Sequence, residues 1–260
     1  MSSDDLPART SHPDPTTVLA VSGVLDSTTY LSVRNALVDA ATEATGCLVV
    51  DVRDLEVPAP SAWTVLSSAA WLVRGWPGVR MAVVADPIRM SELRRGGVTR
   101  SVPAYSSMDT ALERMTEDLG TRVTHRTRAT IPRDAGSPIA AARVAVADAV
   151  EKWDPDFVSL ALVLATILVR NVLAHTSSDP DISIEVHHSD RLIVAVSDDS
   201  PDLPVRVEDA DGGTPIASGL SVLTSLSRHW SYTPRGSGKT VWAVIGPEEV
   251  ARFTGPGRPD

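Results

Sequence analysis

Apolar positions along the chain change their period several times, and the changes outline its elements. Thr17-Val18-Leu19-Ala20-Val21 is a β-rich run ending near Gly23, and Cys47-Leu48-Val49-Val50-Asp51-Val52 reads as a compact apolar strand. Between them, residues 27–44 carry Tyr30, Leu31, Val33, Leu37, Val38 and Ala41 on the recurrence of a helix. The proline-rich Val57-Pro58-Ala59-Pro60 follows. Ser61 stands where an N-cap would open a helix over residues 62–74, closed by Gly75 and Pro77. A strand over 79–84, a helix over 87–95 stopped by Gly96-Gly97, a short strand over 102–105 and a helix over 108–118 complete the series. This alternation predicts an α/β domain built around one sheet.

The pattern shifts near Leu119-Gly120. Residues 120–137 hold Arg122, Arg126, Arg128 and Arg133 with few apolar side chains, which places a linker there, although Arg128-Ala129-Thr130-Ile131 is also fit to begin a new sheet. The expected organisation is a flexible tail over 1–15, a first domain over 16–118, a linker over 119–129, a second domain over 130–247 and a tail over 248–260. In the second domain, helices are expected over 138–153 and 156–175 and a third over 219–228. Strands are expected at Ile182-Ser183-Ile184-Glu185-Val186, at Leu192-Ile193-Val194-Ala195-Val196 and from Thr240 to Ile245. Helices and antiparallel strands in blocks are the signature of an α+β sandwich. The longest apolar run, 158–169, is interrupted by Ser159 and Thr166 and suits a buried helix better than a membrane span.

Composition narrows the picture. The 260 residues agree with two domains at about 150 residues each. Lys and Arg total 24 against 33 Asp and Glu, a net charge of −9. Such a chain lacks the basic footprint from which nucleic-acid affinity comes, so nucleic acid is not an expected partner. Cys47 is the one cysteine, which excludes an intramolecular disulfide and a cysteine-based zinc site; its apolar setting predicts a buried, inert thiol. The polar N-terminal stretch has no apolar core of a secretory signal, and the expectation is a soluble, cytoplasmic protein without a membrane partner.

Candidate chemistry concentrates in the second half. Asn171 and His175 lie i, i+4 on one face of the apolar helix. Val196-Ser197-Asp198-Asp199-Ser200-Pro201 is a strand running into carboxylates and a turn, and a small-residue loop runs from Gly212-Gly213 to Gly219. A carboxylate accepts the exocyclic amine of adenine, an amide oxygen ligates Mg²⁺ and loop N–H groups cradle phosphates. Each feature alone also has a plain reading, as helix surface or strand-end turn. In their order, however, Asn171 to His175, Val-Ser-Asp198 to Pro201, Ala217-Ser-Gly219-Leu220 and Gly238-Lys239-Thr240-Val241-Trp242 make residues 130–245 resemble the anti-sigma-factor serine kinases of the GHKL (histidine-kinase-like) ATPases. The resemblance implies a Bergerat-type α/β sandwich. In it Asn171 is the Mg²⁺ ligand, Asp198 reads adenine, Gly219 lies beside the phosphates and Thr240 lies near adenine.

Departures from that pattern carry their own message. Ile167 stands where the family has the glutamate that accepts the attacking hydroxyl's proton, and an isoleucine accepts none. Ser200 and Asp202 replace the glycines that follow the adenine aspartate, Asp202 adding a charge that repels triphosphate if it points inward. Ala217 replaces a phosphate-loop glycine. The expectation is a pseudokinase in which ATP and Mg²⁺ binding is weakened or lost and catalysis is lost.

Residues 16–116 resemble a STAS domain, the anti-sigma-factor antagonist module, through Ser22-Gly23-Val24-Leu25-Asp26, the strand Val49-Val50-Asp51-Val52 leading to Asp54-Leu55, and Leu93 to Tyr105 with Gly96 and Val102. The resemblance implies a mixed sheet with helices. The family's phosphorylated serine falls on Pro60, and the next residue is Ser61. Ser61 is therefore read either as a helix N-cap or as a shifted phosphosite at the positive end of a helix dipole. Trp63, Trp71 and Trp76 form a stripe that belongs to the core or, in part, to a partner surface. His125 and the adjacent His187-His188 raise a metal reading, against which adjacent strand residues point to opposite faces. Together the two resemblances imply a non-catalytic partner-switching regulator of a sigma-factor pathway, acting on a sigma factor, an anti-sigma kinase or an antagonist, or by docking of its own domains. An active ATP-dependent protein serine kinase and a nucleotide-free adaptor are the alternatives.

Overall fold

In the computed structural model, residues 8–11, 16–117, 125–134, 136–177, 179, 181–186, 191–200, 202, 219–236 and 238–255 are described. Two compact units divide the chain, Met1–Val123 with Pro234–Gly236 and Thr124–Thr233 with Ser237–Asp260.

The first unit is a mixed sheet whose main strands are buried on both faces. It holds β1 (Ala8–Ser11), β2 (Thr16–Val21), β3 (Gly23–Val24), α1 (Tyr30–Glu43), β4 (Cys47–Asp51), β5 (Leu55–Glu56), α2 (Thr64–Val73), β6 (Arg80–Val84), α3 (Pro87–Arg95), β7 (Ala104–Tyr105) and α4 (Met108–Glu117). Strand order is β1-β2-β4-β6-β7, with β1 antiparallel and every other neighbouring pair parallel, and β3 and β5 form a separate parallel pair. In β4, Leu48 and Val50 face the cluster of Leu37, Val38 and Leu66 from α1 and α2. Cys47 and Val49 face Ala111 and Met115 of α4. Two covered faces explain why residues 47–50 of this strand are all apolar, the run ending at Asp51 where burial falls off. The Cys47 thiol is fully buried, lies 3.3 Å from Thr16 Oγ1, and is pushed above its ordinary range by burial.

In the second unit, β8 (His125–Thr130), α5 (Pro138–Ala149), α6 (Pro155–His175), β9 (Asp181–Val186), β10 (Leu192–Asp198), α7 (Gly219–Leu226), β11 (His229–Pro234), β12 (Lys239–Ile245) and α8 (Pro247–Thr254) follow one another. The sheet order is β11-β12-β10-β9-β8, and β10 is antiparallel to both β12 and β9. One face of this sheet, with Leu192, Val194, Val196, Val241, Ala243 and Ile245, packs in a single core with Leu160, Leu164, Leu168 and Val172 of α6. Among the described residues α6 is the one helix long and apolar enough to cross a membrane by length and composition, and this stripe of it lies in the core beneath the sheet. Arg133 closes its C-terminal end. The guanidinium donates to the carbonyls of Leu173 and Val172 at 3.1 and 3.3 Å and to that of Thr176.

Several expected boundaries change. Residues 8–11 of the expected tail form β1, paired with β2. Residues 125–129 of the expected linker belong to β8, paired with β9. Residues 248–254 of the expected tail belong to α8, with Val250 and Glu249 buried. The helix expected from residue 62 opens instead as a 3-10 turn, Pro60–Trp63, and α2 starts at Thr64. Ala59 occupies the cap position of that turn and has no side-chain acceptor to offer its free N–H groups.

Candidate functional site

Parallel strands in the first unit put the openings of α1, α2 and α3 at one end of the sheet, where the chain leaves β3, β4 and β6. Hydrogen bonds tie these openings together. Asp26 accepts from Thr28 N, Thr28 Oγ1 and Thr29 N and so turns the chain into α1; these bonds, the Thr28 hydroxyl first, hold its carboxyl below the usual range. Tyr30 OH lies 3.4 Å from Thr64 Oγ1, which donates to Ser61 O at 2.8 Å. Trp63 Nε1 donates to Glu92 Oε2 of α3 at 2.9 Å, and Arg89 Nε donates to Leu55 O of β5.

Ser61 is exposed in the 3-10 turn at this end and makes no capping bond, so the N-cap reading is corrected. The element openings at the same end of the sheet carry Val24, Leu31 and Ile88, which are 39%, 56% and 74% exposed. The tryptophan stripe divides. Trp63 and Trp76 are buried, whereas Trp71 is 73% exposed on α2.

In the second unit the residues singled out from the sequence fall into separate groups. Asp198 ends β10 with a fully buried side chain, and its Oδ1 accepts from Lys239 Nζ at 2.8 Å and from Ser200 N at 2.8 Å. Lys239 also donates to Ser200 O at 3.2 Å. Oδ2 of Asp198 is buried with no hydrogen-bond partner among the described residues. Thr240 is fully buried and its hydroxyl lies 2.8 Å from Ser197 Oγ, so it is spent within the sheet. Gly219 opens α7 against Ile167: a Cβ there would lie 3.3 Å from Ile167 Cγ2. Asn171, the expected metal ligand, lies half-buried on α6 one turn beyond Ile167, and no described hydrogen bond joins it to the Asp198 group. Asp202 is exposed, its N–H donating to Ser200 Oγ. Gly212, Gly213, Ala217, Pro201 and the His187-His188 pair lie outside the described residues, as does the side chain of His125. Among the described residues no three His, Cys, Asp or Glu side chains gather in a metal-binding group.

Lys239, part of the Gly238 to Trp242 block but without an expected role, is the cation of this group. Register explains its place: β10 and β12 pair with Asp198 opposite Lys239 and Ser197 opposite Thr240, so neighbours on one strand meet their partners on opposite faces. As arranged, these side chains do not fit the adenine-reading role. Asp198 Oδ1 already holds an ammonium and its Oδ2 is buried, and Ile167, where the resemblance would put a proton acceptor, is an apolar side chain packed toward α7.

No family model and no curated protein matches the chain. At low identity its N-terminal mixed sheet is similar to solved anti-sigma factor antagonists. An anti-sigma factor antagonist from Mycobacterium paratuberculosis is 22% identical, with 45% of this chain and 99% of that one covered and a TM-score of 0.38. The anti-sigma factor antagonist SpoIIAA in its unphosphorylated form is 13% identical, with 43% and 97% covered and a TM-score of 0.34.

Proposed function

We propose that the protein is a non-catalytic partner-switching regulator of a sigma-factor pathway, working in the cytoplasm by binding other regulatory proteins. The first unit is its antagonist-like half, and the second is a kinase-like half of GHKL descent that no longer transfers phosphate. The motif resemblances supply the pathway. The observation that carries the binding role is the loop end of the first sheet, where the element openings that hold Ser61 also carry the exposed Val24, Leu31 and Ile88. Exposed apolar side chains on a polar surface are the anchors that protein interfaces bury. Pro60 offers no hydroxyl for modification, so partner choice rests on this surface, with Ser61 as the one neighbouring hydroxyl in the turn. For the second unit, Ile167 against Gly219 supports loss of catalysis, and the Asp198–Lys239 pair supports weak or absent ATP and Mg²⁺ binding.

Calorimetric titration of the full chain with purified anti-sigma kinases and sigma factors from the same genome tests this reading. At least one is expected to bind in the micromolar range, and Leu31→Glu is expected to weaken that binding about tenfold, as loss of one central apolar contact does. Absence of binding to all of them, or binding indifferent to Leu31→Glu and Ile88→Asp alike, would count against it.

A further inference from the structure

We infer that Lys239 is an internal lock on Asp198, its ammonium standing in for the hydrogen-bond donor of a ligand and keeping the second unit closed to adenine nucleotides. The inference rests on reading that unit as a nucleotide-binding fold. Its basis is the geometry of the pair. Lys239 Nζ lies 2.8 Å from Asp198 Oδ1, and the side chains are 7% and 0% exposed. The same Oδ1 takes the N–H of Ser200, and the same ammonium takes the carbonyl of Ser200, so lysine, carboxylate and the turn after β10 form one closed group.

The backbone holds Lys239 in place. At Gly238 a Cβ would lie 1.9 Å from Asp198 O, an approach that only glycine permits, and it sets the next residue directly opposite Asp198. A ligand amine that takes Oδ1 must displace the ammonium and leave it buried without its counter-charge, which strongly disfavours the exchange. Oδ2, unpartnered among the described residues and sealed from solvent, shows that the carboxylate retains capacity for a further donor that the closed arrangement withholds. Removing the ammonium therefore opens an acceptor instead of merely deleting a surface charge.

Lys152 and Lys239 are the two lysines of the chain, which makes the lock directly readable. Under limiting acetylation of the full chain followed by mass spectrometry, exposed Lys152 is expected to react at least about tenfold faster than Lys239, and Asp198→Asn is expected to close that gap. In calorimetry with Mg²⁺-ATP and with adenosine, the wild-type chain is expected to show no binding up to about 1 mM. Lys239→Met, or Lys239→Thr where Met does not fold, is expected to bind at least about tenfold tighter, and adding Asp198→Ala should abolish the gain.

Equal acetylation of the two lysines in the wild-type chain overturns the lock, as does a folded lysine variant that binds no tighter than wild type. If wild type and variant bind equally well, the lock fails and the nucleotide-fold reading stands. If neither binds, both fail.

Discussion

Gly238 leaves no room for any other residue. A methyl group placed there would sit 1.9 Å from Asp198 O and 2.7 Å from Asp199 Cα, both backbone atoms that cannot rotate away. Gly238→Ala is therefore expected to cost at least about 3 kcal/mol, since overpacking against fixed backbone separates β12 from β10. Thermal unfolding should show the second unit melting about 10 °C lower, whereas an unchanged melting temperature would mean that the hairpin has other ways to close. The site was only partly legible at this scale. Asp198 was marked by its own chemistry, a carboxylate where a strand runs into a turn, whereas Thr240 and Ile167 were marked only through the motif resemblance. What Asp198 bonds to depends on strand register, and the strand was expected to start at Thr240, one residue too late to bring Lys239 onto it. Ser61 misled for a related reason: a serine before an apolar run is a cap signal, but Pro60 and Ala59 start a 3-10 turn and carry Ser61 past the cap position.

Helix openings follow a repeated rule that the sequence displays openly. Asp86-Pro87, Ser137-Pro138 and Asp154-Pro155 each place a side-chain acceptor at the cap and proline at the first helical position, and each acceptor takes a free N–H of the first turn. α3 consequently spans the residues expected of it. Asp86→Ala should cost about 1 kcal/mol at neutral pH. The N–H of Arg89 first, and then its guanidinium, hold the Asp86 carboxyl below its ordinary value of 3.8. A depressed folded value means that the cap's contribution is complete above the ordinary value and is lost as pH falls through the folded one. The wild-type advantage over Asp86→Ala in denaturant unfolding should therefore shrink below about pH 4, and a gap independent of acid would refute the assignment. Elements missed from the sequence are those whose apolar content is low. β1 is exposed along its whole length and exists by pairing with β2. In β11, Trp230 and Tyr232 alternate with polar residues, and Thr233 takes the Trp242 Nε1 proton. α8 is too short for a periodic signal and is fixed by Glu249 accepting from Gly246 N.

At the scale of the whole molecule, two units of different sheet type share one acidic chain. No label transfer from γ-labelled ATP to the chain or to an antagonist partner is expected. Ile167→Glu alone is not expected to restore it, because under the proposed lock Lys239 still occupies Asp198 and a proton acceptor needs a bound nucleotide to act on. Incorporation that Asn171→Ala abolishes would show that the kinase chemistry survives. The mixed sheet with helices of the first unit was legible because strand–helix alternation is a property of the apolar pattern, and for the second unit the pattern marked strands and helices without identifying a Bergerat-type sandwich. The identity of the pairs across each sheet was not legible, because long-range register leaves no local mark.

The order of strands in the second sheet has a consequence for how the protein is made. β12 lies between β10 and β11 although it is the last strand in sequence, so the sheet stays split until residues 239–245 have emerged from the ribosome. The first unit owes nothing to that wait for its sheet, since β7 ends at Tyr105. Asp198 meets its lysine 41 residues after its own synthesis. During translation the N-terminal sheet is thus complete while its neighbour still exposes an open strand edge, and a message broken off before codon 239 yields a chain that chaperones and proteases must handle.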